Sequence, residues 1–495
     1  MPEESDRAIV VKKQANETEM AELKKIAMAV RSLWSEGPWR SGMPVGPPVT
    51  GTQSPGKAED GLDRLRTAAK RDRRLRFDNL MHHLNADLLR RAYFALNRQA
   101  ARGVDGLSWE DYGRDLEIRL KDLHARLHSG RYHPQPVRRV WIPKADGKQR
   151  PLGVAGVEDK VVQQALVWVL ESIHEVDFKG FSYGFRPGRS QHNALDALYV
   201  AITQRKVSWI LDTDISAFFD SVDHGWLMKF VSHRIADRRI LRLIEQTLKA
   251  GVMEDGKWQA TRAGTPQGGV LSPLLANIYL HHSLDLWVEA WRKRRARGEV
   301  YIIRYADDAV LGFQYREDAL RLQRELTERL QRFALQLHPG KTRLLEFGRF
   351  AEANRAQRGE GKPETFAFLG FTHICGRRRS DGSFTVHRRT LGKRQRGFIA
   401  DMKAWVMTHR HLPVAAQGNY LKQALQGFAN YFGVPGNFGA LSAVRGQICK
   451  VWFRALRRRS QKAVSLTWLK MQRIIRQWIP SLRIVHPYPN QRLCV

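Results

Sequence analysis

The sequence predicts an α+β fold, and three observations predict it. Tyr301–Phe313, YIIRYADDAVLGF, reads as two apolar strands around an acidic tip. Glu158–Val176 and Leu322–Phe333 repeat apolar residues every three or four positions, the period of a helix with one buried face. The apolar runs Val140–Ile142, Trp209–Leu211 and Phe368–Phe371 are short and bounded, as strands are.

Each element has its own justification. In the hairpin, Tyr301, Ile303 and Tyr305 share one face of the incoming strand, and Ala309, Leu311 and Phe313 share one face of the outgoing strand. Asp307 and Asp308 then fall at the tip. A two-residue hairpin turn favours Asn-Gly or Asp-Gly. Ala306-Asp307-Asp308 has no glycine, so turn comfort does not explain these residues. An isolated acidic pair reads first as a solvated turn. As a metal-binding tip it requires one more carboxylate from elsewhere.

Bulk composition narrows the function. The chain has 495 residues, enough for roughly two to four domains. It carries 83 Lys+Arg against 49 Asp+Glu, a net charge of +34. Such an excess points to an extended polyanion, nucleic acid above all. No apolar run reaches the roughly 18 residues of a spanning helix, so a membrane partner is not expected. MPEESDRAIVVKKQ is polar and mixed in charge, unlike a secretory signal. Cys375, Cys449 and Cys494 form no CxxC pair, which predicts a reducing, cytoplasmic setting and no zinc site.

Along the chain, residues 1–60 form an extension with a helical pattern at Met20–Trp34 and a Gly/Pro-rich linker. Residues 62–130 read as helical and basic, with RLRTAAKRDRRLRF a solvated face or an RNA contact. In RRVWIPKADGKQRPLG, Lys144 and Arg150 flank a turn, where two cations could hold a triphosphate. SYGFRPGRS (182–190) interleaves arginine with aromatics, suiting a phosphate backbone with stacked bases or an aromatic-anchored turn. WILDTDISAFFDSVDH is a short strand running into acid. Asp214 follows it, and spacing alone does not choose among Asp212, Asp214, Asp220 and Asp223 as a metal ligand. AGTPQGGVLSPLLANIYL is a glycine-bracketed loop opening a helix, through which backbone and Gln267 can approach a substrate. LHPGKTRLLEF puts Lys341 in a turn before a strand. From about residue 380 the chain turns strongly basic, with amphipathic helical patterns near 393–409, 415–432 and 440–459 and a short appended tail from 461.

Taken together, IPKADGKQRPLG, SYGFRPGRS, DISAFFDSVDH, GTPQGGVLSPLLANIYL, YADD, HPGKT and FLGF resemble, in content and order, a group II intron-encoded reverse transcriptase, or maturase. The resemblance covers about residues 62–495. It implies a right-hand polymerase: N-terminal helices and fingers over 61–205, an antiparallel palm over 206–379, a helical thumb (domain X) over 380–460, and a DNA-binding-like tail over 461–495. It implies Asp214, Asp307 and Asp308 as catalytic metal ligands for two Mg²⁺ ions. It makes Lys144 and Arg150 triphosphate contacts and places Gln267 near nucleotide and template. Phe219 becomes the gate against a ribose 2′-hydroxyl, with Phe218 the alternative, and Lys341 the donor to pyrophosphate. FLGF resembles the strand that positions the primer end. The implied partners are group II intron RNA, an RNA template, a DNA primer and target in the nucleoid, and dNTPs. The implied function is RNA-directed DNA synthesis for intron mobility, with assistance to splicing. Two rival readings are an idle RNA-binding splicing cofactor and a reverse transcriptase adopted for phage defence. The chain carries no clustered His/Cys set after the thumb, so it is expected to be of the endonuclease-lacking type.

Overall fold

The computed structural model describes residues 57–143, 149–261 and 263–492. The Met20–Trp34 pattern, the Gly/Pro-rich linker, Lys144 and Cys494 lie outside them. In chain order the strands are β1 (Val137–Pro143), β2 (Gln149–Val154), β3 (Trp209–Thr213), β4 (Val252–Glu254), β5 (Lys257–Gln259), β6 (Val300–Tyr305), β7 (Asp308–Phe313), β8 (Arg343–Glu346), β9 (Phe366–Phe368), β10 (Phe371–Arg377) and β11 (Phe384–Thr390). They form three sheets, ordered β2-β1-β4-β5, β6-β7-β3-β8 and β11-β10-β9.

The second sheet is antiparallel throughout and lies at the centre of the fold. Both of its faces are buried. Ile302, Leu311, Phe313 and Leu211 face one core, shared with helices Val157–His174, Ser272–Leu280 and Arg316–Gln331. Ile303, Val310, Ile210 and Leu345 face a second core, shared with β9, β10 and the C-terminal helices. Apolar side chains on both faces leave these strands stable only between two layers. The two apolar sets read from the hairpin therefore lie on opposite faces. Register explains it: Ile303 pairs with Val310, and Ile302 with Leu311.

The expected helices form where their periodicity places them. Leu322, Leu326 and Leu330 are buried on Arg316–Gln331, and Phe333 is buried in the turn beyond it. The three C-terminal patterns correspond to helices Gly392–Thr408, Val414–Phe432 and Phe438–Arg457.

FLGF is not a strand. Phe368 ends β9, Phe371 begins β10, and Leu369 and Gly370 make the turn between them with φ of +48° and +78°. Two left-handed residues suit the twist of a two-residue hairpin. The Tyr431 hydroxyl donates to the Leu369 carbonyl at 2.8 Å and anchors the turn.

The tail is joined to the helices before it. On and beyond its helix Trp468–Trp478, Met471, Ile475, Ile479 and Leu482 enter the second core. Gly418 lies so close to Trp478 that a Cβ there would overlap the indole. The His486 ring then stacks on His192 with centroids 3.6 Å apart, which carries the tail back to helix Gln191–Gln204.

Candidate active site

The central sheet delivers the acidic residues to one end. Its register pairs Thr213 with Ala309, so Asp214, the next residue along β3, falls beside Asp308. Tyr305 pairs with Asp308, leaving Ala306 and Asp307 as the two-residue turn. Three aspartates from two distant stretches thus share one edge of the sheet. Desolvation, then repulsion from Asp214, pushes the Asp307 carboxyl up, partly opposed by the charges of Arg150 and Arg304. Asp308 is raised by desolvation and by Asp307, Asp214 and Asp212. Its side chain is nevertheless exposed, so the like charges are the firmer cause.

The other acidic candidates have separate positions. Asp223 caps helix His224–Val231 through the Trp226 amide at 2.8 Å. Asp220 accepts from Gln267 Nε2 at 3.4 Å. Asp212 sits two residues inward of Asp214 on β3, within 3.9 Å of Arg343, and burial raises it to about 6.

Lys341 Nζ donates to Asp214 Oδ2 at 2.8 Å, while the His338 amide donates to the Asp214 carbonyl at 2.7 Å. The HPGK turn is thereby pinned to the end of β3. Among the described residues, no group of three or more His, Cys, Asp or Glu side chains forms a metal site by itself. A magnesium ion does not require such a group, since it takes one or two carboxylates and fills its shell with phosphate and water. Carboxylates crowded at one open end of a sheet suit a hard, oxygen-seeking cation.

The loop after residue 263 closes the other side. The Gly264 amide donates to Val222 O and the Thr265 amide to Phe219 O, each at 2.8 Å. The Gly153 amide donates to Gln267 O at 2.7 Å. Gly264 and Gly268 hold φ of +86° and +102° against neighbouring backbone, where side chains would collide. Phe219, Gln267 and the β2 end that follows Arg150 are therefore clamped together. Phe218 is buried in the first core, whereas Phe219 is half-buried.

Arg186 separates the two readings of its loop, phosphate contact and aromatic-anchored turn. It is 5% exposed and chelates the Glu175 carboxylate, with Nη2 at 2.6 Å from Oε1. It also donates to the carbonyls of Lys179 and Ser182. Arg189 donates to the Gly180 and Ser182 carbonyls. The aromatic-anchored turn is the reading these bonds support, because a guanidinium spent on internal acceptors has little left for phosphate.

Sequence reasoning missed Arg304 and its buried partner Asp285. The signal was present as a lone arginine inside the apolar strand YIIRY, since a buried cation requires an anion close by.

Acidic residues gathered at one end of a central antiparallel sheet suit a nucleotide-polymerising class of protein. Residues 142–373 match the family model of reverse transcriptases, RNA-dependent DNA polymerases. The chain is 38% identical to protein YkfC of Escherichia coli K12, over 50% of this chain and 74% of that protein. It is 40% identical to the group II intron-encoded protein LtrA of Lactococcus lactis subsp. cremoris, over 41% of this chain and 34% of LtrA. It is 27% identical to the mitochondrial nuclear intron maturase 2 of Arabidopsis thaliana, over 27% of this chain and 23% of that protein. The chain belongs to the reverse transcriptase family and is similar to group II intron-encoded members of it. It spans about a third of LtrA's length. No helix among the described residues is long and apolar enough to cross a membrane.

Proposed function

We propose that this chain synthesises DNA on an RNA template, for the mobility of a group II intron, and assists the splicing of that intron's RNA. The observation that carries the polymerase reading is the register that sets Asp214 beside Asp308, next to the Ala306–Asp307 turn. In this reading the central sheet is the palm, residues 61–205 supply the fingers and 380–460 the thumb. The RNA partner is argued from the net charge of +34.

Each residue has a role in this reading. Asp214, Asp307 and Asp308 would hold two Mg²⁺ ions, which when bound stabilise both the attacking and the leaving oxygen of an in-line displacement. Arg150, whose charge already acts on Asp307, binds the triphosphate together with Lys144, which lies outside the described residues. Lys341, paired with Asp214, would give a proton to departing pyrophosphate. Gln267 lines the nucleotide side of the cleft. Leu369–Gly370 offers a turn, anchored by Tyr431, that supports the primer end.

Primer extension on an RNA template, with and without Mg²⁺, tests the reading. Extension that requires the metal is expected. RNA binding with no extension under any divalent cation would favour the idle splicing cofactor instead.

Phe219 is expected to select deoxynucleotides. Its ring is half-buried, its carbonyl accepts from the Thr265 amide in the loop that carries Gln267, and in this reading it would fill the space beneath a sugar that a 2′-hydroxyl needs. Phe219→Ala should admit ribonucleotides while the protein folds normally. Phe218→Ala should instead lower stability by about 3–5 kcal/mol, the cost of emptying a buried ring site. Ribonucleotide incorporation gained only by a Phe218 variant would overturn the assignment.

A further inference from the structure

We propose that Arg304 is a positioning residue for the acidic turn: it holds Ala306 in a left-handed conformation and so fixes the direction of Asp307. The inference rests on the polymerase reading above and names a residue that the motifs do not.

Arg304 and Asp285 are both 0% exposed. All five N–H donors of the guanidinium are used. Nε donates to Asp285 Oδ1 at 2.8 Å, and Nη2 to Asp285 Oδ2 at 2.6 Å and Ser182 Oγ at 2.7 Å. Nη1 donates to the Ala306 carbonyl at 2.8 Å and to Asn277 Oδ1 at 3.2 Å. Asn277 in turn donates through Nδ2 to the Gly184 carbonyl at 2.8 Å.

A buried ion pair is a poor device for stability alone, because an apolar pair of similar volume serves as well or better. Here only two of the five bonds make the pair. The other three reach the SYGF segment, the helix Ser272–Leu280 and the acidic turn itself. The main chain repeats the connection: the Arg304 amide donates to Phe181 O at 2.9 Å, and the Tyr183 amide donates to Arg304 O at 2.8 Å.

The turn requires such support. Ala306 has φ of +56°, a region that L-residues avoid and glycine enters freely. Strain of this kind persists only where the surroundings over-determine it. Arg304 holds the Ala306 carbonyl, and Gly184 packs on the Ala306 amide so closely that a Cβ at 184 would overlap it. Asp307 is the next residue, so the Ala306 backbone sets where its carboxylate points.

The test uses the full chain with a primed RNA template. Arg304→Lys keeps the charge beside Asp285 but cannot serve five acceptors. Its kcat is expected to fall about 100-fold, the size of a 1 Å misplacement of a reacting group. The KM for dNTP should stay within about twofold, as for an interaction made in the transition state only. Adding Ala306→Gly should return about tenfold of that loss, because glycine holds the left-handed turn unaided. Arg304→Met/Asp285→Leu, which removes both charges together, should behave like Arg304→Lys and guards against a fold lost to an unpaired charge. In metal-free protein, amide exchange should rise at Ala306, Asp307 and Asp308 but not at Ile302 or Leu311. A wild type that extends primers alongside an equally active Arg304→Lys would overturn the inference. So would exchange rising throughout the sheet with no recovery from Ala306→Gly. A wild type that does not extend primers would instead sink the polymerase reading, and the exchange measurement would still decide the role of Arg304.

Discussion

Replacing Asp307 with alanine should lower primer extension by several orders of magnitude while RNA affinity survives. The residue sits in a two-residue turn at the edge of the sheet, and neither core includes it. Its removal therefore leaves packing untouched. It takes away a ligand expected to bridge both metal ions, and each tenfold of rate corresponds to about 1.4 kcal/mol of lost transition-state stabilisation. Stability should not fall. The Asp307 carboxyl is raised in the folded chain, so its charged form is disfavoured there and costs stability above the ordinary carboxylate pKa. At neutral pH the metal-free variant should melt at or above the wild-type temperature. Adding Mg²⁺ should raise the melting temperature of the wild type and leave that of the variant nearly unchanged. Near-normal extension by a folded Asp307→Ala protein would rule out this site.

How much of this was legible in the sequence varied with the range of the interactions. Helix periodicity is local, and the helices lie where it placed them. The acidic tip was legible, but its third carboxylate was not. Four aspartates competed near β3, and only the pairing of Thr213 with Ala309 separates Asp214 from Asp223, which caps a helix, and from Asp220, which meets Gln267. Register is a property of two strands, and one strand's residues do not disclose it. Arg186 left two readings open for the same reason. Its interleaving with aromatics suited RNA, yet Glu175, eleven residues earlier, occupies it. FLGF looked like a strand because three apolar residues hide a turn, although the glycine at 370 was the available signal.

Strain was the least legible feature and the most telling. Six described non-glycine residues have positive φ; Phe185, Ala217, Ala306 and Leu369 fall one in each of four motifs, while Asp255 and Ala334 lie in turns outside them. Such positions cost about 1–3 kcal/mol each and collect where function fixes the backbone. Nothing in Ala306 as a residue type foretells φ of +56°. What foretells it is the buried Arg304 two residues before, once its partners are known.

RNA affinity should fall steeply with salt, and part of that slope should come from the C-terminal helices. A chain of net charge +34 that neutralises 6–10 phosphates releases their counterions, so affinity should drop by about 10³–10⁵ between 50 and 200 mM salt on duplex-like RNA. Not every cation is available for this. Arg126 is spent on Glu158, Arg186 on Glu175 and Arg304 on Asp285, each within the fold. Arg457, Arg458 and Arg459 differ, for they stand exposed at the end of helix Phe438–Arg457. Arg457 donates to the Val464 carbonyl and Arg459 to the His411 carbonyl. Those acceptors are neutral, so they orient the guanidinium groups without cancelling their charge. The helix itself is held by buried Trp452, Ala455 and Leu456. Replacing the three arginines with glutamine should therefore shift stability by no more than about 0.5 kcal/mol for each substitution. If this end of the chain grips RNA, the slope of log affinity against log salt should fall by about 2 to 3, close to one unit for each lost phosphate contact. Affinity should weaken across unrelated RNA sequences alike, since phosphate contacts carry no base information. An unchanged slope in the triple variant would place the RNA surface elsewhere.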